Sequence, residues 1–210
     1  MEKQAIKNGK LQWAPGNMVY PLPAVMLSCG DNPKEYNIIT IAWTGTLNTS
    51  PPMVYASIRK SRHSYEIVKR TKEFVINLTT KDLAFQTDWC GVKSGKDFDK
   101  FSSMKLTPRK GEKVNAPIIV DSPVNIECKV IKAEELGTHV MFTAEVVHIQ
   151  ADEKYLDSKS GSFEFFRANP LVYSHGHYYE LGDHVGKFGF SVMKDKTLKK
   201  QPKVNYNRRK

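Results

Sequence analysis

The sequence predicts a mainly β fold with helical additions, an antiparallel barrel that is closed or nearly closed. Three observations lead there. Short runs rich in β-branched and aromatic residues, punctuated by Gly, Pro and Asn, recur from Ala24 to Leu78 and from Pro117 to Leu181. Two long runs, Pro117–Ala133 and His139–Ile149, are joined by Glu134-Glu135-Leu136-Gly137 and read as a hairpin. Helical periodicity is confined to a few stretches between the strands. Six or more short strands with two or three interposed helices suit a barrel.

Taken in order, the first twenty residues hold Gly9, Pro15, Gly16 and Asn17 and read as an irregular lead-in. Ala24-Val25-Met26-Leu27-Ser28-Cys29 is a short apolar strand bordered by Pro21 and Pro23. It ends at the turn Gly30-Asp31-Asn32-Pro33. Asn37 to Thr44 is β-branched and aromatic, so a strand. Gly45 to Pro52 reads as a polar turn with two prolines, and Met53–Arg59 as a further strand. Together the three strands suggest a meander. The period then changes. Tyr65, Ile67 and Val68 among Glu66, Lys69, Arg70 and Lys72 predict a helix, which Ser61 or Ser64 could cap. Glu73–Leu78 is a strand. Thr80 or Asp82 could cap a second helix running toward Trp89, and Asp97–Ser103 suits a short third one. In the hairpin, Val124, Ile126, Cys128 and Val130 alternate with polar partners. Leu171–Leu181 adds one or two short strands around Gly176.

A chain of 210 residues is expected to form one domain with a substantial core. No run of about 18 apolar residues could form a transmembrane helix. Residues 1–10 lack the apolar segment of a secretory signal, so the expectation is a cytoplasmic protein. Without secretion, the glycosylation patterns Asn48-Thr49-Ser50 and Asn77-Leu78-Thr79 carry no meaning. The three cysteines have no C-x-x-C spacing. Cys29 and Cys128 lie in apolar runs and read as core residues, whereas Cys90 stands beside a glycine loop where it could touch a ligand. Of the net charge of +10, the stretch Lys194–Lys210 supplies +7, from eight basic residues and Asp195. That leaves about +3 on the first 193 residues, so the body is no nucleic-acid platform. The expected organisation is one domain over 1–193 and a basic, flexible tail over 194–210.

The chemistry concentrates in two places. The loop Cys90-Gly91-Val92-Lys93-Ser94-Gly95-Lys96-Asp97-Phe98-Asp99-Lys100-Phe101 combines two glycines, a hydroxyl and three lysines, a set of donors suited to a phosphate. Trp89, Phe98 and Phe101 flank it and could lie along a flat ring. Arg59, Arg62 and His63 fall between a strand and a helix start, where free N–H groups also favour an anion. Arginine clamps phosphate with two hydrogen bonds. His175-Gly176-His177 reads as a turn at a strand end, since two histidines at i,i+2 without a third ligand do not make a metal site.

With these pieces in place, the chain resembles the flavin reductase-like, FMN-binding split-barrel family, which includes flavoredoxin-like proteins. The resemblance rests on Asn37–Gly45, on Ser57-Ile58-Arg59-Lys60-Ser61-Arg62-His63-Ser64, on Phe74–Leu78 and above all on the Cys90–Phe101 loop. That loop is similar to the family's G-x-x-S-G-(K/R)-D-x-D-K-F segment. The hairpin and the stretch from Pro170 to Gly182 complete a likeness over residues 18–192.

The resemblance implies an antiparallel, Greek-key-like split barrel. It also implies a homodimer with one FMN per subunit near the interface. Trp43, Thr44, Asn48 and Thr49 would then face the flavin ring system. Ser57, Arg59, Ser61, Arg62, His63 and Ser64 would hold the phosphate. Cys90, Gly91, Ser94, Gly95 and Lys100 would close over the cofactor. Family members reduce flavin with NAD(P)H or pass electrons to ferric complexes or other acceptors. The cofactor carries that chemistry, so no catalytic side chain and no metal is expected. No G-x-G-x-x-G fingerprint is present, in keeping with a nicotinamide that stacks on flavin instead of filling a Rossmann site. An FMN electron carrier reduced by a partner protein is the alternative. A pyridoxine-phosphate oxidase-like enzyme shares the fold and FMN, but the Gly91–Phe101 loop fits the flavin reductase side better. A nucleic-acid-binding barrel using the tail ranks well below all of these.

Overall fold

The computed structural model describes residues 9, 10 and 12–193, so the basic stretch from Lys194 onward lies outside the described residues. In chain order the strands and helices are β1 (Leu22–Pro23), β2 (Val25–Cys29), β3 (Asn37–Ile41), β4 (Thr44–Thr49), β5 (Pro52–Arg59), α1 (His63–Thr71) and β6 (Glu73–Leu78). There follow α2 (Ala84–Val92), α3 (Lys100–Met104), β7 (Pro108–Lys110), β8 (Pro117–Ile119), β9 (Val124–Glu135), β10 (His139–Ala151), β11 (Leu171–Ser174) and β12 (His177–Glu180). Seven of the strands form one antiparallel sheet in the order β3-β2-β6-β9-β10-β5-β4.

This order forces the sheet to roll up. β3 and β4 are its opposite edges, yet only Ala42 and Trp43 separate them in sequence. Laid flat, seven strands would put the edges about 29 Å apart. The three peptide steps from Ile41 to Thr44 reach at most about 11 Å. The edges therefore come together at Ala42–Trp43, where the Ser57 N–H of β5 donates to the Trp43 carbonyl at 2.9 Å and continues the β4–β5 pairing. β3 and β4 share no ladder, so the barrel is closed by a crossing and remains split along that seam.

Alternation sorts the side chains. Val25, Leu27 and Cys29 of β2, Ile39 and Ile41 of β3, and Phe142 of β10 fill the barrel interior. The opposite faces of β2 and β3 are also covered: Met26 and Ile38 pack on Cys90 of α2, Phe101 of α3 and Ile119 of β8. Burial on both faces explains why β2 reads as a continuous apolar run. Cys29 and Cys128 are core residues, as their surroundings in sequence suggest.

The chain departs from expectation in several places. Gly45–Pro52 is a strand and tight turn: β4 pairs with β5 from Thr44↔Ala56 to Thr49↔Pro52. The polar, threonine-rich β4 is an edge strand whose middle faces solvent, so it lacks the apolar pattern that marks a strand. The first strands are no meander, because β4 and β5 lie at the far side of the sheet from β2 and β3. Neither Ser61 nor Ser64 caps α1. Arg62 holds the cap position with extended backbone (φ −83°, ψ 136°) and no side-chain hydrogen bond. Thr80 precedes a 3-10 turn, again without a side-chain cap, and α2 then continues past Trp89 to take in Cys90 and Gly91. Asp99 caps α3 by accepting the Ser102 N–H at 3.1 Å.

One buried side chain ties four strands together. Asn77 of β6 donates to the Met26 carbonyl and the Ser28 hydroxyl, each at 2.9 Å. Its carbonyl accepts from the Ile119 N–H at 3.0 Å and from Asn125 at 2.8 Å. The residue is fully buried, which also removes it as a glycan acceptor. Replacing it with an apolar isostere strands donors and acceptors that have no route to water. Asn77→Leu is expected to lower the unfolding free energy by about 2–4 kcal/mol, read by denaturant titration.

Candidate flavin site

The crossing that closes the barrel also opens a cleft of about 450 Å³ beside it. β3 supplies Ile39–Ile41 as one wall, Trp43 stands at the crossing, and Ser57 and Arg59 come from the end of β5. Thr138 and His139 reach in from the turn between β9 and β10, because register places His139 opposite Arg59. The Trp43 and His139 rings lie 5.9 Å apart.

A smaller pit of about 100 Å³ adjoins the cleft, and Ile39 and Arg62 line both. Its walls are the start of α1 (Ser61, Arg62, His63, Ser64), the end of α2 (Cys90, Gly91) and the following loop (Lys93, Ser94, Gly95) with Lys100. Twelve of the fifteen residues named from the sequence line the cleft or the pit. The two segments Ser57–Ser64 and Cys90–Lys100 are brought together because both pack against β3.

Three close contacts fix that packing. A Cβ on Gly95 would sit 2.1 Å from the Asn37 side-chain oxygen, so only glycine lets the loop press onto β3. Asn37 in turn donates to the Ser64 hydroxyl at 2.7 Å, which commits Ser64 to the scaffold. The Lys100 ammonium, 3% exposed, donates to the carbonyls of Ile38 and Cys90 at 2.7 Å each. Lys100 is thus a buried strut between β3 and α2. Burial holds its pKa down to about 8, with Arg62 pushing the same way against the pull of the Cys90 thiol.

The site is electropositive without internal compensation. Among the described residues, Arg59, Arg62, Lys93, Lys96 and Lys100 form no ion pair with a carboxylate. The uncapped first turn of α1 adds N–H dipoles of the same sign. Burial, then Lys96 and Lys100, hold the His63 pKa below its ordinary value. Burial and Arg59 do the same to His139. Cys90 is fully buried and its thiol is pushed up to about 11, so it stays protonated and packs as an apolar group.

The structure does not bring Thr44, Asn48 and Thr49 to these cavities. The Thr44 hydroxyl donates to the Tyr55 carbonyl at 2.6 Å, Asn48 donates to the Pro51 carbonyl at 3.1 Å, and Thr49 sits at the β4–β5 turn. Conversely, Thr40, Asn37, Thr138 and His139 line the site although the sequence did not single them out. Asn37 and Thr40 read there as strand residues, and His139 enters through long-range pairing. His175 and Gly176 do form a turn at a strand end, with φ of 48° and 86°.

Gly95→Ala forces the loop off Asn37. The expected result is a loss of about 1–3 kcal/mol, seen as a lower thermal midpoint, together with faster proteolysis between residues 93 and 99.

Comparison with known proteins agrees with this architecture. The flavoredoxin of Desulfovibrio vulgaris (Miyazaki F) is 28% identical with a TM-score of 0.78, the match covering 87% of this chain and 100% of that one. The flavoredoxin of Methanosarcina acetivorans is 28% identical with a TM-score of 0.76, covering 92% and 100%. The reductase component of the 4-nitrophenol 4-monooxygenase/4-nitrocatechol 2-monooxygenase of Rhodococcus opacus is 27% identical over 112 residues, which is 53% of this chain and 57% of that protein. The family model described as the flavin reductase like domain matches residues 18–182, and this chain, with its rolled antiparallel sheet split at Ala42–Trp43, belongs to that family.

Proposed function

We infer that the protein is an FMN-binding oxidoreductase. It takes electrons from NAD(P)H and delivers them through bound FMN to free flavin, a ferric complex or another acceptor. The observation that carries this reading is the uncompensated basic pit at the uncapped start of α1, opening at Arg62 into a cleft walled by Trp43. A phosphate suits the pit, and a planar ring suits the cleft.

The donor set fits FMN. Arg62, Arg59, Ser61 and the first amides of α1 would hold the phosphate, with His63 and Ser94 beside them. Ser57 and Trp43 line the cleft for the ring system. Gly91, Gly95 and Lys100 hold the covering loop in place, Lys100 through its two carbonyl bonds. When bound, FMN supplies the hydride and electron transfer. The protein's own part is to bind, orient and shield it. A homodimer belongs to the same reading, supported by Trp43, a large apolar side chain left 40% exposed at the cleft. So do cytoplasmic residence and a small-molecule acceptor or partner redox protein. A carrier reduced by a protein donor is the second reading, supported by likeness to flavoredoxins.

The first measurement is the visible spectrum of the purified protein, repeated anaerobically with NADH and then NADPH. A flavin spectrum bleached by either nucleotide is expected and names the donor. A flavin spectrum that neither nucleotide bleaches selects the carrier. No flavin after addition of FMN and removal of excess overturns both. Arg62→Ala is expected to weaken FMN binding about 10- to 100-fold, measured by fluorescence titration, because one charge-assisted clamp is lost.

A further inference from the structure

A larger cavity than either of these lies on the far side of the Ser94–Asp99 loop. It encloses about 780 Å³, and Gly95 lines both it and the pit beneath Arg62. Four lysines stand around it: Lys34, Lys96, Lys105 and Lys110. None is paired with a carboxylate among the described residues. Two aspartates share the lining, but Asp99 is committed to capping α3 through the N–H and hydroxyl of Ser102, at 3.1 and 2.6 Å. Asp99 keeps its charge, held by those bonds, so the lining sets two carboxylates against four ammonium groups and remains net cationic.

The same cavity presents ring faces. Phe98 is 42% exposed and braced edge-on by Trp89, with ring centroids 5.4 Å apart. Tyr36 stands 6.3 Å from Phe101, which anchors it to the core. Of these rings Phe98 is the exposed one, Tyr36 being half-buried and Phe101 buried, and an exposed ring inside a concave, cationic wall is a costly surface unless something covers it. Cations alone would suit any anion. Rings alone would suit any apolar group. The two together, in a cavity sized for a small molecule, select a flat heterocycle joined to a phosphate. Lysines act as unfocused point charges, which suits a phosphate more than a geometrically demanding carboxylate pair.

We propose that this cavity is a second binding site and that it takes a nucleoside phosphate. It is separate from the basic pit, and the shared loop at Gly95 is the element through which the two occupants would sense each other. The ligand chemistry has two sources, the adenylate end of a pyridine dinucleotide or a free nucleotide.

The test is calorimetric titration of the full-length, FMN-loaded protein with AMP, and separately with adenosine and with inorganic phosphate. AMP is expected to bind at least about 10-fold more tightly than either fragment. The double variant K34Q/K110Q changes two exposed lysines outside the basic pit. It is expected to weaken AMP about 10-fold or more while the thermal midpoint and FMN content stay unchanged. No AMP binding at millimolar concentration, or equal binding by the variant, overturns the proposal. A second arm adds AMP during anaerobic reduction. Competition with NADH or NADPH assigns the site to the donor's adenylate end. Binding without competition assigns it to a separate nucleotide. If neither nucleotide reduces the protein, the reductase reading fails while the AMP titration still judges this site.

Discussion

The molecule depends on a two-residue bridge. Ala42 and Trp43 join the opposite edges of a seven-stranded sheet, and no flat arrangement lets so short a link span them. Rolling the sheet brings the inward faces of β2, β3, β5, β6, β9 and β10 around one apolar core. It also leaves a seam where β3 and β4 meet without a shared ladder. The chain bends at Ala42–Trp43, and the absence of a β3–β4 ladder there leaves room for a cleft that a continuous ladder would have closed. The side chain at the kink, Trp43, becomes a wall of the cleft for the same reason.

The rest of the site follows from how β3 is covered. Its outer face is packed by α2 and α3, and its end meets α1. Each contact is polar and at least part-buried: Asn37 to Ser64, Thr40 to the Thr87 carbonyl, and the Lys100 ammonium to two carbonyls. Such bonds have strict geometry and a high penalty for breaking, so they hold two basic segments at fixed separation. The charge they gather is left without carboxylate partners. Acidic residues near the region are spent elsewhere, Asp31 and Glu35 on Arg70 and Glu135 on Lys60. A scaffold that neutralises its surroundings but not its centre leaves that centre's demand for an anion unmet.

Much of this was legible in the chain. β6 spans Glu73–Leu78 as read, since its alternation and flanking polar residues are local signals. The β9–β10 hairpin and the α1 helix likewise follow from period alone. The glycine loop and the basic Ser57–Ser64 segment announced themselves by composition. β4 did not, because an edge strand facing solvent has no apolar period to read. The sequence places Lys100 in the covering loop but does not show it as a buried strut, because nothing in Asp-Lys-Phe says which carbonyls lie above it. Thr138 and His139 were missed because they enter through a pairing that spans eighty residues of chain in β5 and β10.

By itself, then, the sequence determined the class of fold, the placement of most strands and helices, and the two segments that carry phosphate-seeking chemistry. These depend on short-range rules: alternation, turn residues, charge in a local run. Only the tertiary structure decided that β3 and β4 are opposite edges of one sheet and that the two segments share a pit. It alone spends Thr44 and Ser64 on the scaffold, and it alone raises a second, lysine-rimmed cavity behind the same loop. Those outcomes rest on which distant surfaces bury each other, and burial is a property of the folded whole that no local run of residues contains.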